Sequence, residues 1–518
     1  MSPGGDDDND GMSPEKAWRT LDHANGARFQ PGDRLRLKGG ERFAGSVTLD
    51  EGEAGSGTKP VVIESYGAGR ATIAPRGTSG ITVRDTAGVE IRNIALVGDR
   101  TSRREGVGIA LRSSRPGTRR LSHVRITNVE ASGFQNGISV GVDEDAVVGY
   151  SDVRITDVSV HHNLETGLVV YGPDFRAERP AYAHSGLRIE GVRAYANTGD
   201  PKSIERNTGS GISLGSVLDA KVVRSVAHDN GAKSAAGAVE GPEGIWVYDS
   251  SRVVLERNRS YHNRTGSRVD GGGFGLDNNV SSSVMQYNLA YGNDGPGFLV
   301  YSGKPTGAHK NNVVRFNMSW DDARKLPEYG GIVAYGTRMK GLDIHHNTVV
   351  MRTEGLGSTE VAGFRAPALR LRDGMTDVRV FNNILATDGG PLVEAQSSYR
   401  KSKVLLQGND YYSTGRWALE WGADRYASLD GWRTASGQET LEGNPTGFSE
   451  DPCLRGLTAP VADGAGAGAE SLAPDCDGQV PLGLDPATLG IEIGPVDYFG
   501  NQVSGRPVVG AVQPGTTD

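Results

Sequence analysis

Cysteine is almost missing from this chain: two in 518 residues, Cys453 and Cys476, 23 apart in a Pro/Gly/Ala-rich stretch near the end. With no third thiol present, the simplest reading is one disulfide clamping a loop, as in an extracellular protein; two unrelated buried thiols are the alternative. No run of 18 apolar residues occurs, which excludes a membrane-spanning helix. No basic stripe or basic tail is visible, and the formal charge is 55 − 63 = −8. That argues against a nucleic-acid partner and an anionic membrane surface. Long helical periodicity is scarce as well. Seven Met stand against 75 Gly, a ratio that points to many tight turns and few helices. The clearest helical segment is SPEKAWRTLDHAN, Ser13–Asn25, with Ser13 as N-cap and Pro14 at the first helical position. The opening, MSPGGDDDNDGMSPEKAW, carries no basic-then-apolar leader, so secretion implies that a leader has been removed.

What the chain has in abundance is repetition. SVHHN, RAYAN, AHDN, SYHN and AYGN end at Asn163, Asn197, Asn230, Asn263 and Asn293, spaced 34, 33, 33 and 30 apart. Asp322 and Arg352 extend the series after 29 and 30 more. A second series runs through Ser225, Asn258, Asn288, Asn317 and Asn347. Self-similarity at this period is the mark of a solenoid, in which each unit buries its apolar face against its neighbours. Alternation such as GIWVYDSSRVVLERNRS makes the units strands. Residues 1–60 read as an N-terminal cap, 61–410 as the solenoid and 411–518 as a C-terminal cap or tail packed on it. Ala459–Ala473 is a flexible loop by composition. Insertions at Gly172–Ser185, Thr198–Thr208 and Ala232–Pro242 become loops beside a groove.

Strands at this spacing, Asn at the turns and the cap SPGGDDDNDG…SPEKAWRTL…FQPGDRLRLKGG resemble the secreted right-handed parallel β-helix proteins. These form the pectate-lyase-like superfamily of polysaccharide lyases and glycoside hydrolases. The resemblance covers about residues 3–410 and implies an all-β right-handed parallel β-helix. It does not choose a reaction, because this fold hosts lyases, hydrolases, epimerases, tailspikes and adhesins. Neither the DPHD of the mannuronan epimerases nor the NTD…DD…GHG…RIK set of the polygalacturonases is present.

The Gly-led strands align at Gly137, Gly167, Gly211, Gly244, Gly273, Gly297 and Gly331. Positions one and three after each Gly are apolar and face the core, so positions two and four face out. The outward columns then read Val169, Ser213, Trp246, Gly275, Leu299, Val333 and Tyr171, Gly215, Tyr248, Asp277, Tyr301, Tyr335. This places Asp277 between Tyr248 and Tyr301, with Trp246 diagonal to it. An aromatic shelf around a carboxylate suits sugar rings; a stabilising ladder without ligand is the alternative.

Asp270, Asp294 and Glu328 stand three residues before a leading Gly, Glu243 stands immediately before Gly244, and Asp249 closes that strand. Asp270, Asp277 and Asp294 are therefore the candidate general acid and general base (or nucleophile), with Trp246, Tyr248, Tyr301, Glu243 and Asp249 as substrate contacts. The Asp-Gly pairs at Asp270 and Asp294 are equally turn sequence. No cofactor is required, calcium being the one metal the acidic cluster admits.

The function expected is an extracellular glycoside hydrolase acting on a polysaccharide or oligosaccharide, as a monomer. A calcium-assisted polysaccharide lyase, with Arg268, Lys304 or Lys310 as base, is the alternative; a non-catalytic glycan-binding solenoid is the second. His161, His162, His228 and His262 recur at the Asn turns and read as turn packing.

Overall fold

A computed structural model describes residues 1–99, 106–114, 116–117, 119–143, 146–352, 365–454, 468–475, 480–503 and 505–513. The chain divides into two compact units, Met1–Val253 and Val254–Asp518. Each is a right-handed parallel β-helix built from three strands per turn. In the first unit pairing already starts at Arg34–Lys38, which lies in register on Val61–Tyr66. Along one sheet of that unit Ile138, Leu168, Ile212 and Ile245 stack in register, and all have no solvent exposure. In the second unit the equivalent inward column is Phe274, Phe298, Ile332, Leu369 and Val393, with the Phe274 and Phe298 rings stacked at 5.1 Å. Two-residue alternation and identical burial on every turn are what a parallel sheet covered on its inner face requires.

The repeated Asn residues form two hydrogen-bonded columns. Asn163 Nδ2 donates to Asn197 Oδ1 at 3.0 Å, and Asn197 Nδ2 to Asn230 Oδ1 at 2.9 Å. In the second unit Asn263 donates to Asn293 at 3.0 Å and Asn293 to Asp322 at 2.7 Å. The other column runs Asn258, Asn288, Asn317, Asn347 and then Asn383, Asn409 and Glu439. Each Asn follows a corner residue in the left-handed region, such as His162, Ala196, His262, Phe316 or His346. That conformation costs about 1 kcal/mol for a non-Gly residue, and the buried amide bonds offset it. The Gly that opens the next strand is explained by the same column. A Cβ on Gly137, Gly167 or Gly273 would lie 2.9, 2.9 or 3.1 Å from the Nδ2 of Asn163, Asn197 or Asn293. Asn and Gly recur together because the amide occupies the space a side chain would fill.

Arg352 does not continue the first column. It pairs instead with Asp321, Nη2 to Oδ2 at 2.7 Å, both side chains buried. The column ends on Asp322, whose carboxylate takes Asn293 N, Asn293 Nδ2 and Ser319 Oγ. Burial is the largest influence on this group and pushes it up to about 7. A carboxyl raised in the fold above its ordinary value binds its proton more tightly folded than unfolded. Stability contributed at acid pH is therefore lost as pH climbs from about 4 to about 7, by about 4 kcal/mol. Asp322→Asn keeps the acceptor for Asn293 and removes the titration. Its stability is expected to exceed that of the parent at pH 8 and to match it near pH 4. Asp410, also pushed up to about 7 by burial, leaves part of the slope in place. Urea unfolding at the two pH values checks this; an unchanged pH slope in the variant rules it out.

The single helix expected over Ser13–Asn25 is broken. A 3₁₀ turn spans Pro14–Lys16 and an α-helix spans Leu21–Gly26, capped by Thr20 accepting from His23 N at 3.1 Å. Ser13 makes no side-chain cap. The acidic loop intervenes: Asp7 takes Arg19 N, Thr20 N and Thr20 Oγ1, and Trp18 Nε1 donates to Asn9 O. Those bonds hold the chain extended where the helix would have run.

Near the C-terminus, residues 455–467 and Cys476 lie outside the described residues, and with them most of the low-complexity loop; Cys453 is disulfide-bonded. Gly468–Ser471 is a short helix. The tail packs on the second unit: Tyr498 O accepts from Arg257, Ala511 N donates to Thr348 Oγ1, and Leu454, Leu472, Val509 and Ala511 bury against Trp320 and Ile384. Among the described residues no helix is long and apolar enough to cross a membrane.

Candidate functional site

The candidate residues fall in both units. In the first, Trp246 and Tyr248 lie on the strand Glu243–Tyr248, with ring centroids 5.0 Å apart and 27° between planes. Trp246 Nε1 donates to Ser210 Oγ at 3.1 Å. Tyr248 lies across Gly215, where a Cβ would come within 2.1 Å of its ring. Both rings are partly exposed, Glu243 is buried, and Asp249 sits at a left-handed corner that closes the strand.

In the second unit, the strands Gly272–Leu276, Phe298–Ser302, Ile332–Gly336, Leu369–Leu371, Val393–Ala395 and Leu419–Trp421 pair in parallel. Their outward column runs Gly275, Leu299, Val333, Arg370, Glu394, Glu420. Asp277 follows the first strand directly and is half-buried; its Oδ1 accepts from Asn278 N at 2.5 Å. Asn278 is held by Gly303 N and Lys304 N. Tyr301 and Tyr335 lie in register, centroids 4.7 Å apart and planes at 45°. The guanidinium of Arg372 stands 5.3 Å over the Tyr335 ring and reaches Glu328 O.

Asp270 approaches from the loop before the first of these strands. Its Oδ1 accepts from Tyr329 Oη at 3.1 Å, and its backbone N donates to the same oxygen at 3.2 Å. Tyr329 is buried. Burial, then the Asp270 charge, raises its phenol well above the ordinary value. The Tyr335 phenol is raised in the same way, by burial first, then by Asp270 and Tyr301, with Asp277 adding and Arg372 opposing. The charges of Asp270 and Asp277 thus both hold the Tyr335 phenol up. Both phenols keep their protons at neutral pH, and a neutral phenol donates hydrogen bonds without acting as a base.

Asp294 is held differently from its two companions. Its carboxylate is 8% exposed as a residue and is bound by Arg264 at 3.0 Å and Thr265 N at 3.1 Å. Its backbone O takes Lys325 N and Leu326 N. This is a turn anchor, the reading its Asp-Gly sequence also carries. Arg268, Lys304 and Lys310 are exposed.

The turn histidines pack as rings: His161 stacks on Tyr195 at 4.6 Å and Tyr195 on His228 at 5.1 Å, while His262 sits edge-on to Tyr261 and Tyr291. Among the described residues no group of three or more His, Cys, Asp or Glu gathers to hold a metal ion.

Sequence reasoning missed Tyr329, Arg370, Arg372 and Glu394. Arg370 and Glu394 form an ion pair at 2.5 Å, in which burial lowers the guanidinium and raises the carboxyl. The strands Leu369–Leu371 and Val393–Ala395 lack a leading Gly, the signal used to align the others.

Residues 149–349 match the family described as the right handed beta helix region. No curated protein matches the chain. Among solved structures, a GH136 lacto-N-biosidase from Eubacterium ramulus is similar at 19% identity and TM-score 0.54, over 71% of this chain. The present chain spans 64% of that enzyme's length. A mannuronic acid specific polysaccharide family 6 lyase from human gut microbiota matches at 15% identity and TM-score 0.46, over 74% of this chain and 82% of its own. XylC in complex with xylose matches at 10% identity and TM-score 0.49, over 99% and 97%. At these identities the likeness is one of fold.

Proposed function

We propose that the protein is a glycoside hydrolase whose acid–base pair is Asp270 and Asp277, acting on an oligosaccharide or polysaccharide. The observation that carries this reading is that Asp270, hydrogen-bonded to the buried Tyr329, and Asp277, at the end of the strand in register with that of Tyr301, both raise the phenol of the half-buried Tyr335. Glycosidic cleavage needs one carboxyl to protonate the leaving oxygen and a second to activate water or attack the anomeric carbon. Tyr301 and Tyr335 offer ring surface to a sugar's C–H face, and the protonated phenols of Tyr329 and Tyr335 donate to its oxygens. Asp294, already bound by Arg264 and Thr265, is left to the turn. In the first unit the Trp246–Tyr248 pair is a further surface on which a sugar ring can rest.

Secretion, a disulfide-bonded Cys453 and action on extracellular glycan are consistent with one another. The deciding experiment is a polysaccharide panel read two ways, by reducing ends released and by ultraviolet absorbance of unsaturated products. New reducing ends without absorbance support the hydrolase. Absorbance rising in step with reducing ends replaces it with a lyase, and no cleavage of any member leaves a binding solenoid.

A further inference from the structure

Opposite charges face each other along the sheets of this protein. Arg92 lies in register on Glu64, Arg379 on Asp343 and Arg370 on Glu394, each pair within 2.5–2.7 Å. Lys310 and Lys340 instead set like charges in register, as Arg125, Arg154, Arg188 and Lys221 do in the first unit. They are direct cross-strand partners in the second unit, both exposed, and among the described residues neither takes part in an ion pair. Like charges placed directly opposite destabilise a sheet, so this position carries a cost.

Beside Lys340 opens a cleft of about 980 Å³. Arg338, Lys340, Arg400 and Lys403 line it, all exposed and none ion-paired among the described residues. Its one carboxylate, Asp373, is already taken by the hydroxyls of Ser397 and Tyr399. A chain of net charge −8 thus concentrates four cations against one carboxylate in one concavity, where the positive excess draws anions. The cleft is continuous in sequence with the candidate site: Thr337 and Arg338 follow Tyr335–Gly336, and Asp373 follows Arg372. Hydroxyls of Thr337, Thr376, Ser397 and Ser398 complete its lining, while its one aromatic residue, Tyr399, is buried. An open basic groove without exposed rings lacks the stacking platform that single-stranded nucleic acid uses.

We propose that this cleft binds the carboxylate or sulfate groups of an acidic glycan, with Lys340 and Arg400 as the principal contacts. The word glycan rests on the hydrolase reading above; the anion preference rests on the cleft alone. The test is native gel electrophoresis of the whole chain through gels carrying polygalacturonate, dextran sulfate or uncharged dextran. Retardation is expected with polygalacturonate, dextran sulfate or both, which separates carboxylate from sulfate recognition, and not with dextran. It is expected to weaken about tenfold in the Lys340→Ala/Arg400→Ala variant and on raising salt from about 50 to about 500 mM. Both substituted residues are exposed, so the variant retains its fold, which its unchanged urea midpoint verifies. Equal mobility in all three gels overturns the proposal, as does retardation that the double variant keeps. Tighter retention by single-stranded DNA, lost in the same variant, assigns the cleft to nucleic acid instead. Binding is read without turnover, so a negative result here leaves the roles of Asp270 and Asp277 standing, and their failure leaves this one.

Discussion

Asp277→Asn is expected to lower reducing-end release from the best panel substrate by about 10²–10⁴-fold, the range over which a positioned acid or base contributes. At 10³-fold this is about 4 kcal/mol of transition-state stabilisation. Asp270→Asn should lose a similar amount, and the double variant little more than either alone, because two groups serving one proton circuit are not additive. Folding is not expected to suffer at Asp277, which is half-buried and whose amide would keep an oxygen to accept from Asn278 N. At Asp270 the amide retains an oxygen for Tyr329 to donate to. Asp294→Asn provides the contrast: loss of the Arg264 pair weakens a turn, so its unfolding midpoint falls while activity per folded molecule stays within a few-fold. Activity retained in both Asp277→Asn and Asp270→Asn would remove the pair from the mechanism.

Asn317→Ala is expected to be the most destabilising single change in the second unit. The side chain has no exposure. Its Oδ1 takes both Asn288 N and Asn288 Nδ2, and its Nδ2 gives to Met285 O and Asn347 Oδ1. Truncation leaves two donors on Asn288 and the carbonyl of Met285 without these partners in a dry interior. At about 1–3 kcal/mol for each orphaned group, the loss is about 4–6 kcal/mol, well beyond an ordinary substitution. Asn317→Asp restores the acceptor for Asn288 but sets a carboxylate oxygen against Asn347 Oδ1, and so rescues little. Urea unfolding of the three proteins, with the slope held constant, gives the numbers. A loss below about 1 kcal/mol in the alanine variant would mean that water or relaxation satisfies the column.

The periodic part of this protein was readable because period is what a solenoid encodes. The Asn spacing, the inward and outward columns and the tyrosine row all follow from strands of equal length meeting the same corner. Legibility failed where local contacts outvote the pattern. Asp7 draws the backbone of Arg19 and Thr20 out of a helix that Ser13 and Pro14 announce. The second Asn column continues to Asn383, Asn409 and Glu439, but at steps of 36, 26 and 30, and a fixed period does not carry across them. The turn-forming residues before Asn383 and Asn409, Asn382 and Gly408, both left-handed in the fold, were the available clue. At the site, Asp270, Asp277 and Tyr301 emerged from alignment of Gly-led strands. Tyr329 and Arg372 did not, because their partners are set by loops that enter from neighbouring turns.

The two Asn columns have a direction. Within each unit the linked members pass an Nδ2 hydrogen forward along the chain to the Oδ1 of the next, so the side-chain dipoles align head to tail and reinforce one another. Both runs close on a carboxyl that accepts the last hydrogen: the first on Asp322, the second on Glu439, which gathers Asn409, Tyr411, Thr446 and Gly408 N around its oxygens. A carboxylate there is a terminator. A further strand copied from the repeat would present an Asn expecting a hydrogen from behind and would meet only lone pairs. The first column stops at Asp322 while three further strands of the same sheet follow it; only the second, on Glu439, runs on to the end of the stacked strands.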